Sequence, residues 1–287
     1  MKLATFRATP GAPHEIGAVE GEIVISLSRA LPQLPCDMKE LIARWAAAAA
    51  HIRKAAQDAA HKFALKDVEL RAPIARPGKI MAIGLNYADH IEESKMPRPE
   101  HQVWFAKMGT AVNAPYDPIL IGKAGPLVDY EAELVAVIGA GGKHIRREAA
   151  PEAVFGYCCG NDVSERAWQH RTPQWILGKS FDTHAPFGPW ITTADEVGDP
   201  HTLAIRCFVN GEKRQDSNTH HLVFNVWDQV EHLSQAMTLE PGDLLYTGTP
   251  GGVGAAMTPR QFLKPGDVVR VEIEKLGHLE ARCAAEE

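Results

Sequence analysis

The chain has 287 residues, of which 45% are hydrophobic and 23% charged, as expected for a globular protein with a sizeable core. A formal net charge of −6 without any basic block argues against a nucleic-acid partner. No apolar stretch approaches the roughly 20 residues that span a bilayer, and the first residues lack a signal-peptide core, so we expect a cytoplasmic protein without a membrane partner.

Residues 1–72 are predicted to form a small N-terminal α/β module. Residues 1–6 and 22–27 are candidate strands, joined by a turn around residues 17–21. Asp37, with Glu40 three residues on, has the spacing of a capping box and is predicted to begin a helix through the adjoining alanine-rich segment. Prolines and a glycine in residues 70–79 predict a linker to the next module.

Residues 73–287 are predicted to form the catalytic domain. A helix is expected at residues 223–239, where apolar residues recur at helical spacing, and Asn210 and Gly211 predict a hairpin turn. Scattered short strands with few helices favour a mostly β, α+β fold over a doubly wound sheet. The candidate strands are residues 79–83, 103–107, 119–121, 128–139, 154–166, 203–209, 244–247 and 268–273.

The cysteines favour a reduced protein, because the five form an odd set without the spacing of a metal site. Cys158 and Cys159 are adjacent, so in a strand they would point to opposite faces. We interpret them as packing residues.

The segment 128–139 is apolar, ends at glycines and is predicted to be a buried strand. Because a strand has period two, Asp129, Glu131 and Glu133 share one face. Neighbouring carboxylates resist burial, so a cation between them is the simplest explanation. Asp162 supplies another acid from residues 154–166. An all-oxygen set of Glu131, Glu133 and Asp162 suits Mg²⁺ or Mn²⁺, whereas the alternative is an edge strand with solvated acids.

Two further positions have residue types suited to catalysis. His90 and Glu93 are three residues apart in a short predicted helix, so the carboxylate could orient the imidazole as a general base; the alternative is a surface pair. Lys179 lies among glycines and prolines, where it could bind a substrate carboxylate or stabilise an enolate. A lysine that extends to solvent is the alternative reading.

Arg166 and Gln169 lie one helical turn apart after Asp162, and an arginine there could make a two-point contact with a carboxylate or a structural ion pair. The glycine-rich segment 244–254 could bring backbone N–H groups close to an anion, with Thr249 as the side chain best placed to contact a ligand. It lacks the Gly-Lys-Ser/Thr of a P-loop.

Six segments, in this order, resemble the fumarylacetoacetate hydrolase family. They cover about residues 75–275 and read GLNYADHIEE, WFAK, VDYEAELVAVIG, GNDVSERAWQ, LGKSFDTHAPFGP and YTGTPGGVG. The resemblance, to the acylpyruvase and 2-hydroxyhepta-2,4-diene-1,7-dioate isomerase-like branch, implies a mixed β-sandwich roll and a homodimer. It also implies a Mg²⁺ or Mn²⁺ site formed by Glu131, Glu133 and Asp162.

The resemblance also implies roles for individual residues. His90 and Glu93 match a dyad on a lid, here residues 89–100, which we expect to order only over bound substrate. Lys179 matches a lysine near the metal. Met108 stands where a proline usually follows Lys107, so the loop shape there is expected to differ. The implied substrate-binding residues are Lys107, Arg166, Gln169 and Thr249.

These roles predict a Mg²⁺- or Mn²⁺-dependent hydrolase of a 2,4-dioxo acid of the acylpyruvate or fumarylpyruvate type. Such an enzyme yields pyruvate and a carboxylic acid through an enolate that the metal stabilises. The alternatives are an oxaloacetate decarboxylase, or an isomerase or hydratase of a dienoic 2-oxo acid. A non-catalytic, metal-containing binding dimer is a further alternative, which the His90 and Glu93 dyad disfavours.

Overall fold

The computed structural model describes residues 1–57, 59–94 and 97–287 of the chain. Strands predominate over helices and form sheets of twelve, five and two strands within these residues. The fold is therefore mostly β, as predicted.

The strands are β1 (Lys2–Arg7), β2 (Glu15–Glu20), β3 (Ile23–Ser26), β4 (Lys62–Ala64), β5 (Glu69–Arg71), β6 (Ile80–Gly84), β7 (Val103–Ala106), β8 (Val112–Asn113), β9 (Ile119–Ile121), β10 (Val128–Asp129), β11 (Ala132–Ile138), β12 (Val154–Asn161), β13 (Ser164–Glu165), β14 (Ala185–Thr193), β15 (Ala204–Val209), β16 (Glu212–Asn218), β17 (Leu244–Tyr246), β18 (Val268–Ile273) and β19 (Gly277–Ala285). The helices are α1 (Leu27–Ala30), α2 (Met38–Ala43), α3 (Trp45–Ala55), α4 (Ala88–Ser94), α5 (Ala150–Ala153), α6 (Arg166–Gln169), α7 (Ala194–Val197) and α8 (Val226–Ala236). None of the described helices is long and apolar enough to cross a membrane.

The large sheet has the order β4-β3-β2-β1-β14-β12-β11-β17-β6-β7, with β5 beside β1 and β8 beside β14. Its pairs are antiparallel except β17 with β6 and β14 with β8. A second sheet has the order β16-β15-β18-β19-β9, and β10 pairs with β13 separately.

The centre of the structure is β11, which is buried along its whole length. On one face, Leu134, Ala136 and Ile138 pack against apolar residues of β15 and β18 in the second sheet. On the other face, Val135 and Val137 pack with residues of α2 and α3. Both faces of β11 therefore bury apolar area, and the sandwich implied by the resemblance is confirmed.

The first 72 residues are joined to the rest of the chain through one sheet. Strand β1 pairs with β14 as well as with β2 and β5, and Trp45 of α3 packs edge-on against Phe155 of β12, with ring centroids 5.0 Å apart. Asp37 caps α2 by accepting from the Glu40 N–H, as its spacing predicts. The single predicted helix is divided at Arg44, and its predicted course also includes residue 58, which lies outside the described residues. A boundary at residues 72 and 73 stays a prediction.

Two of the predicted elements were wrong. The strand predicted at residues 128–139 is two strands, because β10 pairs with β13 while β11 pairs with β12 and β17. Between them, the Glu131 N–H donates to the side-chain oxygen of Asn161 and not to a backbone carbonyl of a neighbouring strand. The turn predicted around residues 17–21 is largely strand β2, in which Gly17 leaves room for Val24 and Phe6.

Strand β14 was not predicted, because its prolines indicate a loop. Its pairing with β12 is irregular between Gly188 and Thr192, where Pro189 has no N–H to donate. The predicted hairpin at Asn210 and Gly211 is confirmed, with positive φ at both residues between β15 and β16.

Candidate active site

A cavity of about 700 Å³ lies between α4, the loop after β17 and the segment after β13. It brings together residues that are far apart in the sequence. Eight of the ten predicted site residues line it: His90, Glu93, Glu131, Glu133, Arg166, Gln169, Lys179 and Thr249.

The three predicted metal ligands converge at the inner end of this cavity. Glu131, Glu133 and Asp162 are buried, and each offers an oxygen within 4.8 Å of the others. Pairing of β11 with β12 brings the ends of these strands together, and the Asp162 N–H donates to the Glu131 carbonyl. The predicted convergence of three acids is confirmed.

The charges around these acids are not balanced. Burial favours a high pKa for Glu131, but Lys179 and Arg166 lower it to about 2. Burial, with the carboxylates of Asp162 and Glu131, raises the pKa of Glu133 well above its ordinary value. The residues fit Mg²⁺ or Mn²⁺, because the donors are all carboxylate oxygens and a divalent cation would let Glu133 ionise.

Lys179 borders the acids from inside the cavity. Its Nζ donates to Glu131 Oε2 at 2.6 Å and to Asp162 Oδ2 at 2.8 Å. Burial alone would lower the pKa of Lys179, but these carboxylates raise it overall. An ammonium has three N–H donors, so one remains for a ligand.

Lys107 is the second lysine that contacts these acids. Its side chain is fully buried and, like that of Asp162, is not among those that line the cavity, so its predicted contact with substrate stays a prediction. Its Nζ donates to Asp162 Oδ1 and, at 3.2 Å, to the Val163 carbonyl. A buried cation needs a carboxylate partner, and here that partner is Asp162, so the position of Lys107 supports orientation of a metal ligand.

Arg166 combines the two roles that its sequence position left open, because it faces the cavity and is also in a buried ion pair. Its Nη2 lies 2.8 Å from Asp129 Oδ2 and 2.7 Å from Glu131 Oε1, and Nη1 donates to Gln169 Oε1 at 2.9 Å. Thr249 Oγ1 accepts from Gln215 Nε2 at 2.9 Å, which fixes its position in the cavity wall.

Asp129 has a structural role that its place in the sequence did not indicate. Besides Arg166, its carboxylate accepts from the N–H groups of Gly254, at 2.8 Å, and Ala255, at 2.9 Å. It therefore connects the start of α6 to the glycine-rich loop. The break between β10 and β11 separates it from Glu131 and Glu133, whose face it was predicted to share.

The predicted dyad lies on α4. His90 Nδ1 is 3.6 Å from Glu93 Oε2, which is longer than a hydrogen bond, and Glu93 Oε2 accepts from the Gly252 N–H at 2.9 Å. The adjacent His90 ring is the main cause that lowers the pKa of Glu93, against the effect of burial.

Asp89 also holds α4 in place, because its Oδ2 accepts from the Ser217 hydroxyl at 2.6 Å. Of the predicted lid, residues 95 and 96 lie outside the described residues. Ordering of the lid on ligand binding stays a prediction.

The outer part of the cavity contains residues that no motif indicated. Phe105 and Trp175 form an aromatic wall, with ring centroids 5.6 Å apart, and Phe262 also borders the cavity. His170 and Arg260 are exposed at this end. Their proximity depends on the packing of distant segments, so no signal in the sequence indicated them.

We expect Glu133→Gln to weaken Mn²⁺ binding at least about tenfold, the lower end of the loss seen even for outer-shell partners of a metal. Folding should be preserved, because the amide still accepts from the Gly248 N–H. Calorimetric titration with Mn²⁺ and thermal unfolding measure the two effects. The exposed acid Glu148 provides the matched control, Glu148→Gln. Unchanged Mn²⁺ affinity in Glu133→Gln would contradict the ligand assignment.

Metal affinity should rise with pH, because the cation binds the ionised form of Glu133 and the pKa of this group is raised in the metal-free protein. Below that pKa, the Mn²⁺ affinity is expected to increase about tenfold per pH unit, and above it to level off. Calorimetric titrations with Mn²⁺ in buffers of different ionisation enthalpy measure the number of protons released on binding. Glu133→Gln should remove this proton release, and an equal release in that variant would assign the proton to another group.

Gly178 precedes Lys179 and has no space for a side chain. A Cβ there would lie 2.2 Å from the Gln169 N and 2.7 Å from the Glu165 carbonyl oxygen. Gly178→Ala should therefore displace Lys179 from α6 and cost about 1–3 kcal/mol of folding free energy, as overpacking does. Chemical denaturation measures the loss. Gly109→Ala is the control, because a Cβ there meets nothing within 4 Å; equal stability of the two variants would show that the backbone adjusts.

The chain is similar to proteins whose names include several reactions. It is 42% identical over 281 residues to the mitochondrial oxaloacetate tautomerase fahd2 of Xenopus laevis, a match that covers 96% of this chain and 88% of the relative. Among solved structures, maleylpyruvate hydrolase from Sphingobium sp. SYK-6 in complex with manganese(II) and pyruvate matches with a TM-score of 0.85 and 32% identity, over 100% of both chains.

A third similar structure is 2-hydroxyhepta-2,4-diene-1,7-dioate isomerase from Mycobacterium marinum, with a TM-score of 0.79, 30% identity and coverage of 100% of this chain and 99% of the other. The family model described as fumarylacetoacetate (FAA) hydrolase C-terminal matches residues 79–284. This span contains every predicted site residue, together with the buried acids and the α4 dyad. The chain belongs to the fumarylacetoacetate hydrolase family.

Proposed function

We propose that this protein is a divalent-metal-dependent enzyme that acts on 2-oxo acids, and that its reaction is the keto–enol tautomerisation of oxaloacetate. One observation carries the proposal: three buried acids converge at the inner end of a single cavity that is also lined by the α4 dyad and by groups suited to bind a carboxylate. The identity of 42% to an oxaloacetate tautomerase, over 96% of this chain, supports the choice of reaction.

The residues at the inner end are suited to hold the head group of a 2-oxo acid. A divalent cation bound by Glu131, Glu133 and Asp162 would act as a Lewis acid toward the keto oxygen. Arg166 uses four of its five N–H groups on Asp129, Glu131 and Gln169, which leaves one on Nη1 for the substrate carboxylate. The remaining N–H of Lys179 is available to the keto oxygen.

Tautomerisation then requires only proton transfer. The His90 imidazole removes a proton from carbon 3, the electron pair forms the double bond between carbons 2 and 3, and the imidazolium then gives a proton, directly or through water, to the oxygen on carbon 2. Glu93 stabilises the imidazolium formed meanwhile. No carbon–carbon bond breaks and no water is consumed, so atoms and charge balance.

Hydrolysis of a 2,4-dioxo acid, the reaction predicted from the sequence, is the second candidate. Water activated by His90 would add to carbon 4, the bond between carbons 3 and 4 would break, and pyruvate and a carboxylic acid would leave. The cavity volume of about 700 Å³ favours it, because four-carbon oxaloacetate fills little of a cavity in the range that drug-sized ligands occupy.

A cytoplasmic homodimer with Mg²⁺ or Mn²⁺, without a nucleic-acid or membrane partner, completes the proposal. It rests on the family resemblance and on the acidic composition. Light scattering of the purified protein measures the subunit number, and a monomer would overturn the dimer.

We expect His90→Ala to lower the proposed tautomerisation by about 10²–10⁴-fold, the usual range for loss of a general base. Glu93→Gln should have a smaller effect in the same direction, because it loosens the imidazole without removing it. The measurement is the decay of oxaloacetate enol absorbance, with acetylpyruvate hydrolysis assayed beside it. His232→Ala is the control, because His232 is exposed on α8 and does not line the cavity.

Turnover of acetylpyruvate without acceleration of oxaloacetate tautomerisation would select the second candidate. Unchanged rates in His90→Ala for both substrates would show that the dyad has no catalytic role. EDTA-treated protein should lose activity and regain it on addition of Mg²⁺ or Mn²⁺; full activity after complete metal removal would overturn metal dependence.

A further inference from the structure

The cations of the cavity differ in how they are paired. Lys179 and Arg166, at the inner end, donate to buried carboxylates. At the outer end, neither the Arg260 guanidinium nor the His170 ring has a hydrogen bond or ion pair among the described residues. These two groups are therefore free to bind a ligand.

The backbone that follows Arg260 is fixed by two hydrogen bonds. The Gln261 N–H donates to the Gly254 carbonyl at 3.0 Å, and the Leu263 N–H donates to the Val128 carbonyl at 2.8 Å. Gly254 is itself held by Asp129. Because the same carboxylate binds Arg166, the segments that carry His170 and Arg260 are anchored at one point.

The His170 ring is influenced by charged groups at both ends of the cavity. Burial, Arg166, Lys179 and Arg260 all lower its pKa, whereas Glu131 raises it. The ring is thus neutral at neutral pH and can donate an N–H to an anion without repelling Arg260.

The wall between the two ends is mainly apolar. Phe105 and Trp175 are joined there by Leu127, Val253 and Phe262. An apolar middle with a cationic outer end matches a ligand that has a carbon chain and an anionic tip. A guanidinium suits a carboxylate in particular, because its planar N–H groups can bind both oxygens.

We infer that Arg260 and His170 form an anion subsite for the second carboxylate of a 2-oxo diacid with a longer chain than oxaloacetate. Arg260 thereby sets a preference for diacids over monoacids. The inference rests on the proposed function for the position of the 2-oxo acid head group, and it adds a substrate class to that function.

The test compares two ligands of equal length, 2-oxoadipate with a second carboxylate and 2-oxohexanoate without one, by calorimetry on the Mn²⁺-loaded protein. We expect the wild type to bind 2-oxoadipate roughly tenfold more tightly, as a charge-assisted hydrogen bond near solvent allows. Arg260→Gln should remove this preference and Arg260→Lys should retain most of it. His170→Ala should reduce it less, with rescue by His170→Gln, and oxalate affinity should stay unchanged in all variants.

Arg76→Gln is the matched control, because Arg76 is exposed, does not line the cavity and carries the same charge. Equal binding of the two acids by the wild type, a preference kept in Arg260→Gln, or the same loss in Arg76→Gln would each overturn the subsite. Failure of oxalate to bind the wild type would overturn the proposed function and the subsite with it. Oxalate binding without a diacid preference would overturn the subsite alone.

Discussion

The buried charges at the end of β11 and β12 impose the constraint on which the site depends. An ionised group inside a protein is costly unless an opposite charge and hydrogen bonds accompany it. Four buried acids lie beside three buried cations here, so one acid has no cation to balance it. That acid is Glu133, because burial and the neighbouring carboxylates raise its pKa. The acids are Asp129, Glu131, Glu133 and Asp162, and the cations are Lys107, Arg166 and Lys179.

The break in the backbone between β10 and β11 divides these acids by role. Asp129, before the break, accepts from Arg166 and from three backbone N–H groups, so its charge is satisfied without a metal. Glu133, after the break, accepts only from the Gly248 N–H among the described groups. Residues 130 and 131, which lie between the two strands, therefore separate the acids. Asp129 has a structural role, whereas Glu133 needs a cation to balance its charge.

The sequence predicted features that depend on neighbouring residues alone, such as charged residues within an apolar segment or a dipeptide typical of a turn. Acids in an apolar strand indicated Glu131, Glu133 and Asp162, and the Asn210–Gly211 dipeptide fixed a hairpin. Strand β14 could not be predicted, because its pairing with β12 and β1 overrides what its prolines indicate. The partner of Lys107 and the place of Arg260 in the cavity could not be predicted for a related reason. Which groups surround a lysine or arginine depends on distant segments, about which spacing along the chain carries no information.

The two ends of the cavity therefore have different physical constraints. At the inner end every charged group except Glu133 is held by opposite charges, so a substitution there disturbs the whole network. At the outer end Arg260 and His170 have no side-chain partners among the described residues, and by our inference a change there alters only which substrate chain is accepted. The similar proteins are named for different reactions, as tautomerase, hydrolase and isomerase. One kind of inner site can serve all of them, because each reaction can pass through the enolate of a 2-oxo acid. Under the proposed function, the rest of the substrate would decide whether that enolate forms by loss of a proton or by cleavage of a carbon–carbon bond, and the outer subsite would decide which substrates bind.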